Sequence, residues 1–267
     1  MSRAELLNAT VSGPEDAQAV VFVHGFGCGQ HMWRHVAPAF ADRYRVVLLD
    51  LPGSGDADPT SYDPDRHGSL AGYRDDLAAL LRELDLRSVV LVGHSVAAMI
   101  GVLLQTAHPD LVERLVLVAP SARYLDDGGY VGGFSERDID DLLDLMSRNH
   151  LGWQDPLAGL VAGDGDPDAR AEVERSFCRT RPEVAAEFAA VTFRGDNRAD
   201  LGRVSVPALV LQAREDVIAP MSAGLFVRDA IPGARLEIIE TRGHCPHLTA
   251  PAETAAAIER FLSATAS

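Results

Sequence analysis

The sequence predicts a protein of the α/β class, in which a mainly parallel sheet is flanked by helices and carries a helical lid insertion. Short runs of branched aliphatic residues recur between helix-like stretches, which is typical of strands that alternate with helices. These runs are apolar almost throughout instead of alternating in and out, so both faces of the sheet are expected to be covered. The alternation stops after Pro120 and resumes at Ala208.

Six segments are predicted to be strands of this sheet. Parallel strands need crossover connections, which are usually helices. Tyr73 to Leu84 and Val96 to Gln105 have the composition of such helices. The predicted strands are Ala19 to Val23, Val46 to Asp50, Ser88 to Val92, Leu115 to Ala119, Ala208 to Gln212 and Leu236 to Ile239.

The insertion shows helix patterns and no strand candidate. Ser135 with Asp138 suits the N-terminal cap of its first helix, and Pro182 suits the first turn of a later one. The first of these helices is predicted from apolar residues that share one helical face. They are Ile139, Leu142, Leu143 and Met146.

Length and apolar content fit one domain with an insertion. The chain has 267 residues, of which 47% are hydrophobic, and this is enough to bury a sizeable core. We expect residues 1–120 and 201–267 to form the α/β core. We expect residues 121–200 to form a lid over the ends of the strands.

The chain is strongly acidic, with a formal net charge of -15 at pH 7. Such a charge repels nucleic-acid phosphates and anionic membrane surfaces, so small neutral molecules or proteins remain as partners. No window approaches the run of about 20 apolar residues that spans a membrane, and the first residues do not form a secretion signal. We therefore expect a cytoplasmic protein that binds neither nucleic acid nor membrane.

The chain contains three cysteines, Cys28, Cys178 and Cys245. Their number is odd and none has C-x-x-C spacing, so neither a disulfide framework nor a zinc site is predicted. We expect free thiols, no bound metal and no cofactor. Cys245 lies beside a candidate catalytic histidine, but a buried thiol behaves as a small hydrophobic residue.

A nucleophile is predicted at Ser95, in the segment Gly93-His94-Ser95-Val96-Ala97. This segment follows a predicted strand and precedes a predicted helix, as in the strand-turn-helix elbow of serine hydrolases. The turn requires small neighbours, and alanine replaces the second glycine of the common G-x-S-x-G pattern. Taken alone, the motif would also fit an ordinary turn serine.

The partners that a serine nucleophile needs follow in the chain order Ser, Asp, His. A histidine must accept the serine proton, and a carboxylate must orient that histidine. Asp216 and His244 each lie just after a predicted strand, where catalytic loops gather in parallel α/β sheets.

Other residues compete for these roles. Glu215 is adjacent to Asp216, and His247 lies three residues after His244. His94 flanks Ser95, but its side chain should point away from the serine along a turn. Asp50 ends a strand and is followed by dense turn residues, which favours a structural loop.

The turn from His24 to Gly29 is rich in glycine and follows the first predicted strand. Glycines allow backbone N–H groups to approach a reacting oxygen closely, so we nominate the amides of Phe26 and Val96 as oxyanion donors. The turn lacks G-x-G-x-x-G spacing and a P-loop lysine, so no nucleotide site is predicted.

Several segments together resemble the α/β-hydrolases, and within them the RsbQ-type stress-regulator hydrolases related to plant strigolactone and karrikin receptors. The resemblance covers almost the whole chain. Its segments are HGFGCGQHMW at 24 to 33, DLPGSGDADP at 50 to 59, GHSVAAMIG at 93 to 101, PSARYL at 120 to 125, GGF at 132 to 134, FCRTRPEVAAEFA at 177 to 189, LQAREDVIAP at 211 to 220 and GHCPHLTAPAET at 243 to 254.

The resemblance implies a triad of Ser95, Asp216 and His244 beneath a four-helix lid. It also implies a mostly apolar pocket and slow hydrolysis of small hydrophobic esters or enol-ether lactones. In bacterial relatives the partner resembles a PAS-containing serine/threonine phosphatase. The candidate lining residues are Phe26, Phe134, Trp153, Phe177 and Phe193.

The sequence therefore predicts a carboxylic-ester or butenolide-type lactone hydrolase that works through an acyl-enzyme and needs no cofactor. The alternative is a slow-turnover ligand sensor that regulates a stress-pathway phosphatase by protein contact. Haloalkane dehalogenases and epoxide hydrolases need a carboxylate where Ser95 stands. Carbon–carbon bond hydrolases use a similar serine triad and stay possible.

Overall fold

The computed structural model describes residues 1–148, 152–163, 166–177 and 179–264. Its seven strands form one sheet in the order β1-β3-β2-β4-β5-β6-β7. β1 pairs antiparallel with β3, and every other neighbouring pair is parallel. The strands are β1 Thr10–Ser12, β2 Ala19–Val23, β3 Arg45–Leu49, β4 Val89–His94, β5 Val112–Val118, β6 Ala208–Glu215 and β7 Arg235–Arg242.

All six predicted strands are present, and their ends differ by up to three residues. β4 continues to His94, because the backbone pairing with β5 extends to the residue before the elbow. β1 was not predicted. It lies at the sheet edge and pairs with β3 through its backbone, and all three of its residues are exposed. Its sequence therefore has no apolar pattern that would indicate a strand.

Helices cover both faces of the sheet, as the continuous apolar strands predict. One face packs α3 (Leu70–Glu83) and α4 (Val96–Ala107) against residues such as Val21 and Leu91. The other packs α12 (Pro251–Ser263) and two short 3-10 turns against Phe22 and Val90. Within the core sequence the helices are α1 Arg3–Leu6, α2 Pro64–His67, α3 Leu70–Glu83, α4 Val96–Ala107, α10 Met221–Ala230, α11 Pro246–Thr249 and α12 Pro251–Ser263, with 3-10 turns at Gln30–Trp33, Ala37–Phe40 and Pro59–Ser61.

Five helices lie between β5 and β6 within the described residues. Ser135 and Asp138 cap the first helix reciprocally: Ser135 N–H donates to Asp138 at 2.8 Å, and Asp138 N–H donates to Ser135 Oγ at 3.2 Å. Pro182 begins the helix Pro182–Arg194, as predicted. None of the described helices is long and apolar enough to cross a membrane. The helices are α5 Glu136–Arg148, α6 Gln154–Ala162, α7 Pro167–Phe177, α8 Pro182–Arg194 and α9 Arg198–Leu201.

Asp50, at the end of β3, holds three segments of the core together. Its Oδ1 accepts a hydrogen bond from Gln30 N–H at 2.6 Å. Its Oδ2 accepts bonds from Asn8 Nδ2 at 2.7 Å and from Asp56 N–H at 2.9 Å. A side chain at Gly55 would place its Cβ 2.4 Å from this carboxylate, which requires glycine there. The structural interpretation of Asp50 therefore fits its surroundings.

Replacing Asp50 with alanine should lower the free energy of unfolding by roughly 3 kcal/mol, since several partly buried donors lose their acceptor. Urea titration of both proteins measures the difference. The matched control is Asp56→Ala, which removes only an exposed ion pair with Arg179 and should cost less than about 1 kcal/mol. Equal losses in the two variants would contradict this account of Asp50.

A group of buried histidines lies beneath the loop that joins β7 to α11. His247 stacks on Trp33 with ring centroids 4.5 Å apart, and its ring centroid lies 4.4 Å from that of His94. Neither ring nitrogen of His247 has a hydrogen-bond partner among the described residues. Burial is the main cause that lowers the pKa of His247 from 6.5 to about 3. His247 is therefore neutral in the folded protein.

This lowered pKa makes stability depend on pH. In the unfolded chain His247 takes up a proton below about pH 6.5, but in the folded protein it does so only near pH 3. The contribution of neutral His247 to stability is therefore complete above pH 6.5 and declines as the pH falls below that value. Each such histidine contributes about 1.4 kcal/mol per pH unit. When the pH is lowered from 7 to 5, the free energy of unfolding should fall by about 2 kcal/mol less in His247→Phe than in the wild type, as measured by urea titration. Parallel losses in the two proteins would refute the assignment.

Candidate active site

Ser95 lies at a sharp turn between β4 and α4, with φ of +56° and ψ of -123°. This left-handed region is costly for a residue with a side chain, and such strain is held only where the surrounding structure enforces it. A Cβ on Gly93 would lie 2.5 Å from the carbonyl oxygen of Ala97, so the turn closes only with glycine at 93. The local chain thus has the elbow geometry that the motif predicts.

Ser95, His244 and Asp216 form one buried chain of hydrogen bonds. His244 Nε2 lies 2.7 Å from Ser95 Oγ, and His244 Nδ1 lies 2.8 Å from Asp216 Oδ2. The carboxylate can only accept, so Nδ1 carries the proton and Nε2 is left as the acceptor for the serine hydroxyl. The three residues are 149 and 28 positions apart along the chain, and the ends of β4, β6 and β7 bring them together.

The structure distinguishes Asp216 from its neighbour Glu215. The second oxygen of Asp216 accepts hydrogen bonds from the backbone N–H groups of Ile218, at 2.9 Å, and Ala219, at 3.0 Å. Glu215 instead points to the surface, where it pairs with Arg242 at 3.1 Å. Only Asp216 of the two contacts His244.

The structure also separates the three histidines near Ser95. His94 Nε2 donates to the backbone oxygen of His244 at 2.8 Å, so it holds the loop that carries His244. Burial, and secondly the neighbouring His247, lowers the pKa of His94 well below 6.5. His247 packs on Trp33. Of the three, His244 makes the hydrogen bond to the serine hydroxyl.

Gly25 brings the glycine-rich turn against the elbow. A Cβ at this position would lie 2.6 Å from His94 Nδ1 and 3.1 Å from Ser95 Cβ, so glycine is required for the approach. The N–H of Phe26, the next residue, has no acceptor among the described residues. Val96 is the first residue of α4, and first-turn N–H groups have no partner within their own helix. Both nominated amides therefore have an unused donor beside Ser95.

Tyr124 also contacts Ser95, a contact that the sequence did not predict. Its hydroxyl oxygen lies 3.0 Å from Ser95 Oγ, and both side chains are buried. Burial is the main cause that raises the pKa of Tyr124, so the phenol stays protonated. Tyr124 lies in the PSARYL segment beyond β5, and only folding brings this segment to the serine.

A small, mostly apolar cavity opens onto Ser95 and His244. Its volume is about 20 Å³, roughly what one water molecule needs, so an ester enters only if lining side chains move. Larger grooves of about 500 Å³ exist elsewhere, but Ser95, Asp216 and His244 do not line them. Besides Ser95 and His244, the lining consists of Phe26, Cys28, His94, Leu157, Val161, Phe177, Thr192, Phe193 and Ile218.

Three of the five predicted aromatic residues, Phe26, Phe177 and Phe193, line this cavity. Phe134 and Trp153 do not, which corrects the expectation for them. Trp153 packs behind Phe177 with ring centroids 5.1 Å apart, and Phe134 packs against Phe193 at 6.2 Å. They form a second aromatic layer behind the cavity wall. The sequence could not show this, because residue type and position in the insertion do not specify which side chains face the cavity.

Cys245, His94 and His247 offer ligand atoms within 4.8 Å of one another. The trio does not have the character of a prepared metal site. His94 Nε2, 4.0 Å from Cys245 Sγ, is already committed to the carbonyl of His244. Burial raises the pKa of the Cys245 thiol well above its ordinary value, whereas a metal ligand must be a thiolate.

Cys28 and Cys245 are free and buried thiols. Burial raises the pKa of Cys28 to about 12, so this thiol in the cavity wall stays protonated and behaves as an apolar surface. The prediction for Cys178 falls outside the described residues.

The insertion is joined to the active site by direct hydrogen bonds. The N–H of His244 donates to the carbonyl of Val161 in α6 at 2.7 Å. Ser176 in α7 donates to the carbonyl of Gly27 at 2.9 Å. A Cβ on Gly243 would lie 2.2 Å from the carbonyl of Ala162, so the end of α6 approaches this loop as closely as only glycine allows. Movement of α6 must therefore involve the loop that carries His244.

The sequence profile of the alpha/beta hydrolase family matches residues 20–257. The karrikin insensitive 2 receptor CA of Petunia hybrida is 39% identical over 236 residues, which cover 88% of this chain and 87% of that protein. The strigolactone esterase D14 of Arabidopsis thaliana is 36% identical over 259 residues, with 97% of each chain covered.

Among solved structures, a hydrolase from Oleispira antarctica has a TM-score of 0.95 and 34% sequence identity. The match covers 98% of this chain and 97% of that chain. These similarities confirm the resemblance to α/β-hydrolases and to the plant receptors. Because the family profile spans most of the sequence and the relatives exceed 30% identity over nearly all of it, the chain belongs to the alpha/beta hydrolase family.

Proposed function

We propose that the protein hydrolyses small hydrophobic carboxylic esters or butenolide-type lactones, with Ser95 as nucleophile. The observation that carries this proposal is the unbroken chain of hydrogen bonds from Asp216 through His244 to Ser95. It ends at an apolar cavity, as a hydrophobic substrate requires. Relatives that are named esterases support the same class of reaction.

In the acylation half of the proposed reaction, Ser95 Oγ attacks the carbonyl carbon while His244 Nε2 takes the hydroxyl proton. Asp216 stabilises the resulting imidazolium and keeps its Nδ1 proton directed at the carboxylate. The N–H groups of Phe26 and Val96 donate to the oxyanion. His244 then returns its proton to the leaving oxygen, and the carbonyl–oxygen bond of the substrate breaks.

Water completes the cycle by the reverse roles. It occupies the position that the leaving group has vacated and gives a proton to His244 Nε2 as it attacks the acyl carbon. The same amides hold the second oxyanion. Breakdown returns the proton to Ser95 Oγ and releases the acid, so the elements of water are added across the ester bond.

We further propose that residues 121–200 act as a lid over the reaction site. Leu157 and Val161 of α6, Phe177 of α7 and Phe193 of α8 line the cavity, so the insertion encloses the substrate. The small volume implies that substrate entry is coupled to movement of these helices. Such closure excludes water from the charges that develop during attack.

A second candidate function is ligand sensing with slow turnover. The relative named as a karrikin insensitive 2 receptor supports it. The PAS-containing serine/threonine phosphatase partner remains a prediction from the resemblance, and the cytoplasmic location remains a prediction from the sequence. Retention of such a phosphatase only when a butenolide is present would support sensing. Rapid ester turnover with no such retention would favour a metabolic esterase.

Ser95→Ala should abolish ester hydrolysis, with a fall in kcat of about 10⁴-fold or more, since no other group can form the acyl-enzyme. Wild-type protein treated with a p-nitrophenyl ester should gain the mass of one acyl group at Ser95 in intact mass spectrometry. The alanine variant should keep its thermal midpoint and gain no such mass. Near-normal hydrolysis by Ser95→Ala would refute the mechanism.

Asp216→Asn should lower kcat by about 10³- to 10⁴-fold, because an amide no longer fixes the proton on His244 Nδ1. Glu215→Gln is the matched control, since it changes the neighbouring acid and only an exposed ion pair. Steady-state rates of Glu215→Gln should stay within about twofold of wild type. A larger loss in Glu215→Gln than in Asp216→Asn would reverse the assignment.

A further inference from the structure

The hydrogen bond between Tyr124 and Ser95 has a defined direction. His244 Nδ1 donates to Asp216, so Nε2 has a lone pair and takes the single hydroxyl proton of Ser95. Ser95 Oγ therefore has no proton left for Tyr124. The phenol must be the donor of the 3.0 Å bond.

Attack on a substrate removes the acceptor of this phenol. Once Ser95 Oγ is bonded to the acyl carbon it is an ether-like oxygen, which accepts a hydrogen bond weakly. The phenol is buried, so loss of its acceptor without a replacement is costly. The tetrahedral carbon carries two further oxygens. Each is bonded to the same carbon as Oγ, so each lies closer to Oγ than two hydrogen-bonded oxygens lie to each other. Each is therefore a candidate acceptor for the Tyr124 hydroxyl, which contacts Oγ at 3.0 Å.

The two remaining oxygens are not equivalent in this site. The N–H groups of Phe26 and Val96 are assigned to the oxyanion, so the leaving-group oxygen has only the protonated His244 Nε2 as an assigned donor. That oxygen develops negative charge as its bond to carbon breaks. It also lies on the side of His244, which must deliver a proton to it.

We propose that the Tyr124 hydroxyl is a catalytic hydrogen-bond donor that passes from Ser95 Oγ to the leaving-group oxygen during acylation. The inference rests on the proposed serine-esterase function and adds a substrate class to it, esters and lactones of unactivated alcohols. Tyr124 keeps its own proton throughout. The proton that ends on the alcohol comes from Ser95 through His244, and the carbon–oxygen bond to the leaving group breaks as it arrives.

The environment of Tyr124 suits a donor that is not itself an acid. Burial and, less strongly, the negative charge of Asp216 raise the pKa of its phenol, so Tyr124 is protonated in the resting site. His244 supplies the proton that the leaving oxygen takes. Phe193 packs edge-on against its ring with centroids 5.1 Å apart and fixes the ring orientation. In deacylation the attacking water takes the place of the leaving oxygen and accepts the same hydrogen bond.

The test compares leaving groups in Tyr124→Phe, with Tyr130→Phe as the matched control. The Tyr130 hydroxyl donates to the carbonyl of Arg123 at 2.9 Å. Tyr130→Phe therefore removes a nearby phenol hydroxyl that bonds to the backbone and not to Ser95. The substrates are the p-nitrophenyl, phenyl and ethyl esters of one acid. The three esters share the same acyl group, and their kcat/KM values report the acylation step.

Tyr124→Phe should lower kcat/KM for the ethyl ester about tenfold or more, the effect of one hydrogen bond to a developing charge. It should change kcat/KM for the p-nitrophenyl ester by less than about threefold, because nitrophenolate leaves without assistance. Tyr130→Phe should follow wild type on all three esters. An equal fall on all esters, or no fall on the ethyl ester, would overturn the proposal.

Acylation of Ser95 by the p-nitrophenyl ester, read by intact mass, provides a second measurement on the same variants. It needs a folded elbow but no donor to the leaving group, so Tyr124→Phe should be labelled fully. A variant that is not labelled would overturn the proposal, since the hydroxyl would then act on Ser95 itself. Failure of the esterase function is distinct, because wild-type protein would then hydrolyse none of the three esters.

Discussion

The active site depends on the strained backbone of Ser95 at the end of β4. This turn directs the hydroxyl away from the sheet and starts α4 directly behind it. It can form because Gly93 and Gly25 leave room where any side chain would collide with the elbow. The surrounding parallel strands hold it in place, and their buried hydrogen bonds and packing offset a strain of about 1 to 3 kcal/mol.

Burial then determines which of several similar residues takes part in the chemistry. Glu215 and Asp216 are adjacent, but the β6 end exposes the first and turns the second inward onto two backbone donors. The neutral histidines His94 and His247 fill the space behind His244. Their lowered pKa values keep additional positive charge away from the imidazole of His244, the proposed general base.

The insertion belongs to the active site as much as the sheet does. Its helices provide most of the apolar wall, and the bond from His244 N–H to Val161 joins the wall to the catalytic loop. A change in α6 therefore reaches His244 through one backbone contact. Such coupling suits either a closing enzyme or a receptor whose surface reports on the ligand inside.

The sequence by itself determined the α/β class, six of the seven strands, the helical insertion and the elbow at Ser95, because these follow from local apolar patterns and glycine chemistry. It also indicated Asp216 and His244 through their positions after strands. It could not place Tyr124 beside Ser95, choose Phe177 over Trp153 for the cavity wall, or find β1. Those features depend on which faces meet across distant segments, and only the packing of the folded chain decides that.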